Sequence, residues 1–348
     1  PPAAGDDAWR AAGCAAGCLL AVASKESGIA APFVLAAFWR VFRRRDPDRF
    51  WPLATAASLA LVVAFLATRF LLEPSPSRIF ESRPEYPGGS LLESLKLEPR
   101  ILALYAQLIA CPVNLCADYG SYSIRHLPPG VALAILGVLG IAAIAAARRD
   151  RRISFALALV LLPLLPVSNL VPIYRAAADR YLYMPLAGVA CVVACLLDSA
   201  LVNGRQQRHQ AALVTALATV ALLAVGCIGR QRVWRSQLDL WTDTYSRNPA
   251  SYNGANGLAG ALREAGRGAE AVEMARRAVS MSGETRGDAW MTLALALDAA
   301  GRPADADRAA AKAVELDAKL ADPDGRVAAL AMDREEADAV KAILARRP

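Results

Sequence analysis

An arginine at the start of an apolar stretch is the clearest candidate for chemistry in this chain. Asp179 and Arg180 precede a long apolar stretch that begins at Tyr181. A guanidinium at the start of a helix adds a fork of donors to the free backbone N–H groups and to the positive end of the dipole. This arrangement suits a phosphate or a pyrophosphate. The alternative is an Arg–Asp pair beside an aromatic belt that Tyr181 and Tyr183 form at a membrane surface.

A second cluster of charge lies between two short apolar stretches. Lys25 could pair with a lipid phosphate while Glu26 orients it, or Lys25 could extend along the bilayer edge beside a capping Ser24. Asp118 could contact an acceptor or a metal, although a turn that ends a helix explains it equally well. Arg125 is a further candidate for the same group of polar residues.

The composition excludes several other kinds of site. The chain has only two histidines, no CxxC pair, no glycine-rich phosphate loop and no GxSxG motif. These absences argue against a histidine metal cage and against ATP bound through a P-loop, and we assign no metal ligand. The net charge of +7 comes from short arginine clusters between apolar stretches, which is typical of membrane topology rather than of nucleic-acid binding.

The elements that position these residues are predicted to be membrane helices. The chain is 55% hydrophobic, and five stretches are apolar over about 17–25 residues, the length of a membrane span. They are Trp51–Leu72, Gly130–Ala147, Ile153–Val171, Tyr181–Val202 and Ala211–Ile228, with two shorter stretches at Ala11–Ala23 and Ile29–Phe42. We therefore predict an all-α fold whose residues 1–230 form a polytopic transmembrane bundle.

Charge and parity then predict the orientation. The arginine-rich connections face the cytoplasm by the positive-inside rule. Because the stretch at residues 101–117 then begins and ends outside, we predict a re-entrant segment there. The same predicted orientation places the unusual polar residues on the external side of the membrane: Lys25, Glu26, Asp118, Arg125, Arg175, Asp179 and Arg180.

The last part of the chain is polar and repetitive. Tyr252–Ser282 and Trp290–Asp317 align at an offset of 35, with small residues at the contact positions and a glycine between two predicted helices. This pattern resembles the tetratricopeptide repeat. We predict an interfacial linker at residues 231–249 and an α-solenoid of repeats at residues 250–348. The repeats offer a groove for a peptide or partner, or they are a spacer.

The motifs resemble, in order, those of the transmembrane and tetratricopeptide-repeat-containing O-mannosyltransferases. The resemblance rests on the Ser24–Glu26 turn, Asp118-Tyr119, the stretch Leu165–Leu170, the stretch Asp179–Pro185 and the external repeats. It implies the C-terminal half of a GT-C membrane glycosyltransferase fold. Such an enzyme transfers a hexose, mannose by this resemblance, from a polyprenyl-phosphate donor to a protein acceptor outside the cytoplasm.

The resemblance also implies roles for individual residues. Lys25 and Arg180 would hold the donor phosphate, with Tyr181 and Tyr183 nearby. The catalytic acid of this family lies in a first external loop that we do not find, so we assign no catalytic residue. The chain begins at Pro1, and we expect it to be a fragment. The bilayer, the donor lipid and an acceptor in the repeat groove are the expected partners, and a requirement for a divalent metal is left open.

Two alternatives belong to other functional classes. A membrane-anchored scaffold would use the repeats to recruit partners, and it would tolerate loss of Lys25 and Arg180. A transporter of lipid-linked sugars would place charge deep in the spans, where Arg69 is the clear candidate. We expect an integral membrane location with the repeats in the bacterial periplasm, or in the lumen of the endoplasmic reticulum in a eukaryote.

Overall fold

The computed structural model describes residues 4–44, 49–72, 86, 89–120, 124, 127–170, 173, 175–202, 206–324 and 334–346. The regular secondary structure of this described part is helical and includes no β-strand. The all-α prediction is therefore confirmed. The chain divides into two compact units, the first comprising residues 1–113 and 124–220 and the second residues 114–123 and 221–348.

Unit 1 contains the apolar helices. They are α1 (Ala4–Ser24), α2 (Ala31–Phe38), α3 (Phe50–Leu72), α4 (Leu91–Ala110), α5 (Pro129–Arg149), α6 (Arg151–Leu161) and α7 (Tyr183–Val202), and α8 (Gln206–Gln231) continues into unit 2. Among the described residues, four helices are long and apolar enough to cross a membrane: Phe50–Thr68, Pro129–Arg149, Asp179–Asp198 and Gln210–Trp234. Four of the five long predicted spans are thus found as membrane-length helices, which indicates a multi-pass membrane protein.

The predicted span Ile153–Val171 does not form one continuous helix. Helix α6 ends at Leu161, and a 3₁₀ turn follows over Leu162–Val167. Pro163 and Pro166 explain the change, because proline lacks the N–H that an α-helix needs and clashes with the preceding turn. The re-entrant segment at residues 101–117 comprises the second half of α4 and an irregular segment after Ala110. Its position relative to a bilayer stays a prediction.

Arginine-rich segments meet at one end of unit 1, which we call the basic end. The Arg151 guanidinium carbon lies 5.9 Å from the centre of the Phe42 ring, and that of Arg43 lies 6.0 Å from the Trp51 ring. Arg152 donates to Asp198 near the end of α7, over 2.8 Å. The connections around residues 40–49 and 148–152 therefore share one end, as the topology prediction requires.

Three 3₁₀ turns gather at the other end of the same helices, which we call the loop end. A 3₁₀ turn at Glu26–Ala30 follows α1 and packs against Leu162–Val167, which in turn packs against a 3₁₀ turn at Asp179–Leu182. Helix α1 is 21 residues long, or about 30 Å at 1.5 Å per residue. The two ends are therefore separated by approximately the thickness of a hydrocarbon core.

Unit 2 is a stack of paired helices. Helices α9 (Gln237–Arg247), α10 (Tyr252–Glu264), α11 (Gly268–Met281), α12 (Gly287–Ala299) and α13 (Pro303–Leu316) pack in sequence, and α14 (Arg334–Ala345) lies against α12 and α13. Their shared core is rich in alanine: Ala259, Ala271, Ala275, Ala294, Ala306 and Ala310 are fully buried. Small side chains allow the helices to approach closely.

The helix boundaries repeat with the period read from the sequence. Helices α12 and α13 begin about 35 residues after α10 and α11, which is one repeat period. Gly266 and Gly301 end α10 and α12 with φ of 74° and 72°, a conformation that glycine adopts without steric cost. Within the predicted linker at residues 231–249, residues 237–247 form α9, which packs against α10.

Candidate functional site

Arg180 lies in the first turn of a membrane-length helix at the loop end. The 3₁₀ turn Asp179–Leu182 leads directly into α7, and no side chain caps its start at Ala178. Arg180 is exposed, and its guanidinium carbon lies 5.3 Å from the centre of the Tyr181 ring. The geometry thus presents a cation beside the N–H groups of a helix start, which together favour an anion.

The aromatic neighbours of Arg180 differ in their surroundings. Tyr181 is half-buried, and its hydroxyl donates to the carbonyl of Arg175 over 3.3 Å. Tyr181 therefore binds the segment that precedes Asp179 through its hydroxyl, while its ring packs against the Arg180 guanidinium. Tyr183 is 80% exposed, which suits the aromatic belt at a membrane surface at least as well as a ligand contact.

A buried amide braces the segment that leads to Arg180. Asn169 is 1% exposed and has φ of 53°, in the left-handed region. Its Nδ2 donates to Glu98 Oε1 over 2.7 Å and to the carbonyl of Ala176 over 3.1 Å. One side chain thus connects α4, the turn after Leu162–Val167 and the segment before Asp179.

A buried tyrosine forms a second brace. The backbone N–H of Ala178 donates to the hydroxyl of Tyr105 over 3.4 Å, and Tyr105 is 3% exposed. Burial raises the pKa of Tyr105, the bond from Ala178 lowers it, and the nearby charges of Tyr181, Glu98 and Asp179 raise it further. Those three residues therefore lie close enough to Tyr105 to interact with it electrostatically.

Glu98 is a second acidic residue of this cluster beside Asp179, and the sequence analysis did not assign it. Burial raises the pKa of Glu98 to about 7, while the hydrogen bond from Asn169 opposes that rise. A carboxyl with a pKa near neutrality is matched to taking up or releasing a proton at physiological pH. The spacing of seven residues places Glu98 and Tyr105 on one face of α4, two turns apart. That spacing was the available signal.

Lys25 lies at the same end of unit 1. It is exposed and extended, with φ of −161°, between α1 and the turn Glu26–Ala30. The turn folds back so closely on α1 that a Cβ on Gly28 would lie 2.3 Å from the carbonyl carbon of Ala21. The position of Lys25 is therefore rigidly defined by its neighbours. The side chain of Glu26 and the whole of Arg125 lie outside the described residues.

Asp118 belongs to unit 2. It is 4% exposed, and its Oδ2 accepts from the hydroxyl of Ser251 over 2.5 Å. Ser251 in turn caps α10 by accepting from the N–H of Gly254 over 2.8 Å, and Asn253 donates to Asp118 Oδ1 over 3.4 Å. The carboxylate thus supports the start of α10 instead of facing an open site.

Within the described part of the chain, no group of three or more His, Cys, Asp or Glu side chains could hold a metal ion. The residues that the structure brings together at the loop end are Glu98, Tyr105, Asn169, Asp179, Arg180 and Tyr181. No protein-family description, no curated protein and no solved structure matches this chain.

Proposed function

We propose that this chain is a membrane glycosyltransferase that moves a hexose, with mannose as the first candidate, from a polyprenyl phosphate to a protein hydroxyl. The observation that carries the proposal is the exposed Arg180 guanidinium at the first turn of a membrane-length helix. A phosphate attached to a membrane lipid would lie at this depth of the bilayer. The cation and the helix start would stabilise the charge that develops on the departing phosphate.

The cluster at the loop end suggests how the rest of the reaction could proceed. The unprotonated carboxyl of Glu98 would accept the proton of the acceptor hydroxyl as that oxygen bonds to the sugar carbon. The bond between this carbon and the phosphate oxygen breaks, and the polyprenyl phosphate leaves with its charge held by Arg180. Lys25 lies at the same end and would add a second positive charge.

The helical repeats of unit 2 complete the proposal. We propose that they are tetratricopeptide repeats that lie outside the cytoplasm and present the protein acceptor. Two observations support this assignment, namely the repeat of about 35 residues and the glycine turns between paired helices.

The test uses membranes that carry the full chain and radiolabelled polyprenyl-phosphate mannose. Wild type should transfer label to protein, and Arg180→Ala should reduce that transfer by about 10²-fold, because it removes a charge that stabilises the transition state. Arg149→Ala, which removes an exposed arginine at the basic end, is the matched control and should transfer label normally. Glu98→Gln retains the shape and the hydrogen-bond acceptor, so a loss with this variant would isolate the proton-accepting role.

The outcomes separate this proposal from the scaffold alternative. Equal labelling by wild type and Arg180→Ala would refute the phosphate site. Absence of transfer from several sugar donors, with the protein correctly inserted, would favour a scaffold that acts through its repeats. Full transfer by Glu98→Gln together with reduced transfer by Arg180→Ala would refute the proton-accepting role of Glu98 and leave the phosphate site in place.

A further inference from the structure

An apolar groove opens on the side of unit 1, towards its basic end. It is lined by α1, α2, the start of α3 and α6, and has a volume of about 480 Å³. Its walls include Gly17, Leu35, Phe38, Trp51 and Phe155. The lining is almost entirely hydrocarbon and aromatic, so the groove suits a hydrocarbon chain and offers little to a polar ligand.

Aromatic rings connect the groove to the arginines of the basic end. The ring of Phe38 lies 5.0 Å from that of Trp51 and 5.5 Å from that of Phe155, and Phe42 lies 5.5 Å from Phe155. The Arg151 guanidinium packs on Phe42. The Arg151 guanidinium therefore makes a cation–π contact with Phe42, and the Phe42 ring in turn packs against Phe155 in the groove wall.

The surrounding charge is strongly positive. Among the described residues here, 40–44, 49 and 148–152 together contain eight arginines and one aspartate. Arg152 is engaged by Asp150 and Asp198, whereas Arg151 is exposed and packs on Phe42. A ligand for this region should therefore combine a hydrocarbon chain with a negative head group.

We propose that this groove holds an acyl chain of an acidic phospholipid, with its phosphate at Arg151. Charge complementarity favours an acidic lipid, since a zwitterionic lipid would match the apolar groove without matching the excess of arginine. Basic pockets between membrane helices on the cytoplasmic side bind acidic head groups. This site is separate from the loop end and does not depend on the proposed transferase activity.

The glycines of α1 offer a matched pair of variants. A Cβ added at Gly17 meets no heavy atom within 4 Å, so Gly17→Leu should fill the groove without displacing the helix. A Cβ added at Gly13 also meets nothing within 4 Å, but Gly13 does not line the groove. Gly13→Leu is therefore the control for added bulk on the same helix. Arg151→Gln removes the charge, and Arg276→Gln, an exposed arginine of unit 2, is its control.

The experiment extracts the full chain from nanodiscs with equal amounts of phosphatidylglycerol and phosphatidylcholine and counts retained lipids by native mass spectrometry. Wild type should retain phosphatidylglycerol preferentially. Gly17→Leu should abolish the preference, and Arg151→Gln should weaken it about fivefold, the contribution of one basic side chain near acidic lipids. Both control variants should behave as wild type.

Three results would overturn the proposal. Equal retention of both lipids by wild type would show that charge does not select the occupant. Unchanged retention in Gly17→Leu would place the lipid outside the groove, even if Arg151→Gln weakened binding. A lipid-free dimer would show that a second copy covers the groove.

Discussion

Replacing Asp118 with alanine should loosen the start of α10 without disturbing unit 1. The buried Asp118 carboxylate accepts the Ser251 hydroxyl over 2.5 Å, and Ser251 caps α10 through Gly254. The side-chain Nδ2 of Asn248 donates to the backbone carbonyls of Asp118 and Tyr119, over 3.2 and 2.9 Å, and both bonds remain in the variant. The perturbation therefore removes the carboxylate and leaves the docked segment attached.

The expected magnitude follows from those contacts. A hydrogen bond to a charged group contributes about 1.5–3 kcal/mol, and the 3.4 Å contact from Asn253 adds little because it is long. We expect a loss of about 2 kcal/mol in the free energy of opening of α10. Since about 1.4 kcal/mol is a factor of ten, the opening constant should rise roughly 30-fold.

Hydrogen exchange followed by mass spectrometry measures this opening in the full chain in nanodiscs. Amides of residues 252–264 should exchange roughly 30-fold faster in Asp118→Ala, and amides of unit 1 should be unchanged. Asp118→Asn retains an acceptor oxygen, so its effect should be smaller. Glu264→Ala, an exposed carboxylate on the same helix, is the control and should change the opening free energy by less than about 0.5 kcal/mol.

The reasoning also predicts non-additivity. Ser251→Ala and Asp118→Ala remove the same bond, so the double variant should lose less than the two single effects combined. Unchanged exchange of α10 in Asp118→Ala would refute the role given to this carboxylate. A uniform increase across both units would refute its local action.

Two further predictions concern unit 1 and use thermal unfolding of the full chain in nanodiscs. Burial raises the pKa of Glu98 to about 7, so the contribution of this carboxyl to folding stability is fully present below its unfolded pKa and is lost as the pH rises through about 7. Glu98→Gln should therefore gain in melting temperature relative to wild type between about pH 5 and pH 8. A difference in melting temperature that stays constant over this range would contradict the raised pKa of Glu98. Gly28→Val should lower the melting temperature, since its Cβ would lie 2.3 Å from the Ala21 backbone and overpacking costs about 1–3 kcal/mol. Gly13→Val is the control and should not lower the melting temperature, because a Cβ at Gly13 meets nothing within 4 Å. Equal effects of the two variants would argue against the close contact at Gly28.

Local signals in the sequence correctly predicted the helical class and four membrane-length helices. Each of these depends on the apolar character of a continuous stretch. The prolines at 163 and 166 carried an equally local signal for the 3₁₀ turn that follows α6 within the predicted span Ile153–Val171. A proline-rich stretch can be apolar enough for a bilayer while its backbone cannot form one α-helix.

The cluster around Arg180 was only partly accessible from the sequence. Arg180 and its tyrosines could be selected because helix start, cation and aromatic belt are adjacent in the chain. Glu98 offered only its seven-residue spacing from Tyr105, because a carboxylate in α4 has no other local property that distinguishes it from a solvated one. Burial raises the pKa of Glu98, and Asn169, which donates a hydrogen bond to it, lies 71 residues away in the sequence.

The apolar stretches, the positions of the arginine clusters and the recurrence of paired helices at an offset of 35 are all properties of the sequence. These signals come from hydrophobicity, from charge and from small residues with glycine turns. Each depends on residues within one or two helical turns of one another, so it can be recognised in the sequence. The support that Asp118 gives to α10 through Ser251, 133 residues away, depends on the three-dimensional packing of the chain. The same is true of the position of Glu98 in the cluster at the loop end. The surroundings of a polar side chain are set by residues distant in sequence, and its burial, pKa and partners exist only once those residues have packed together.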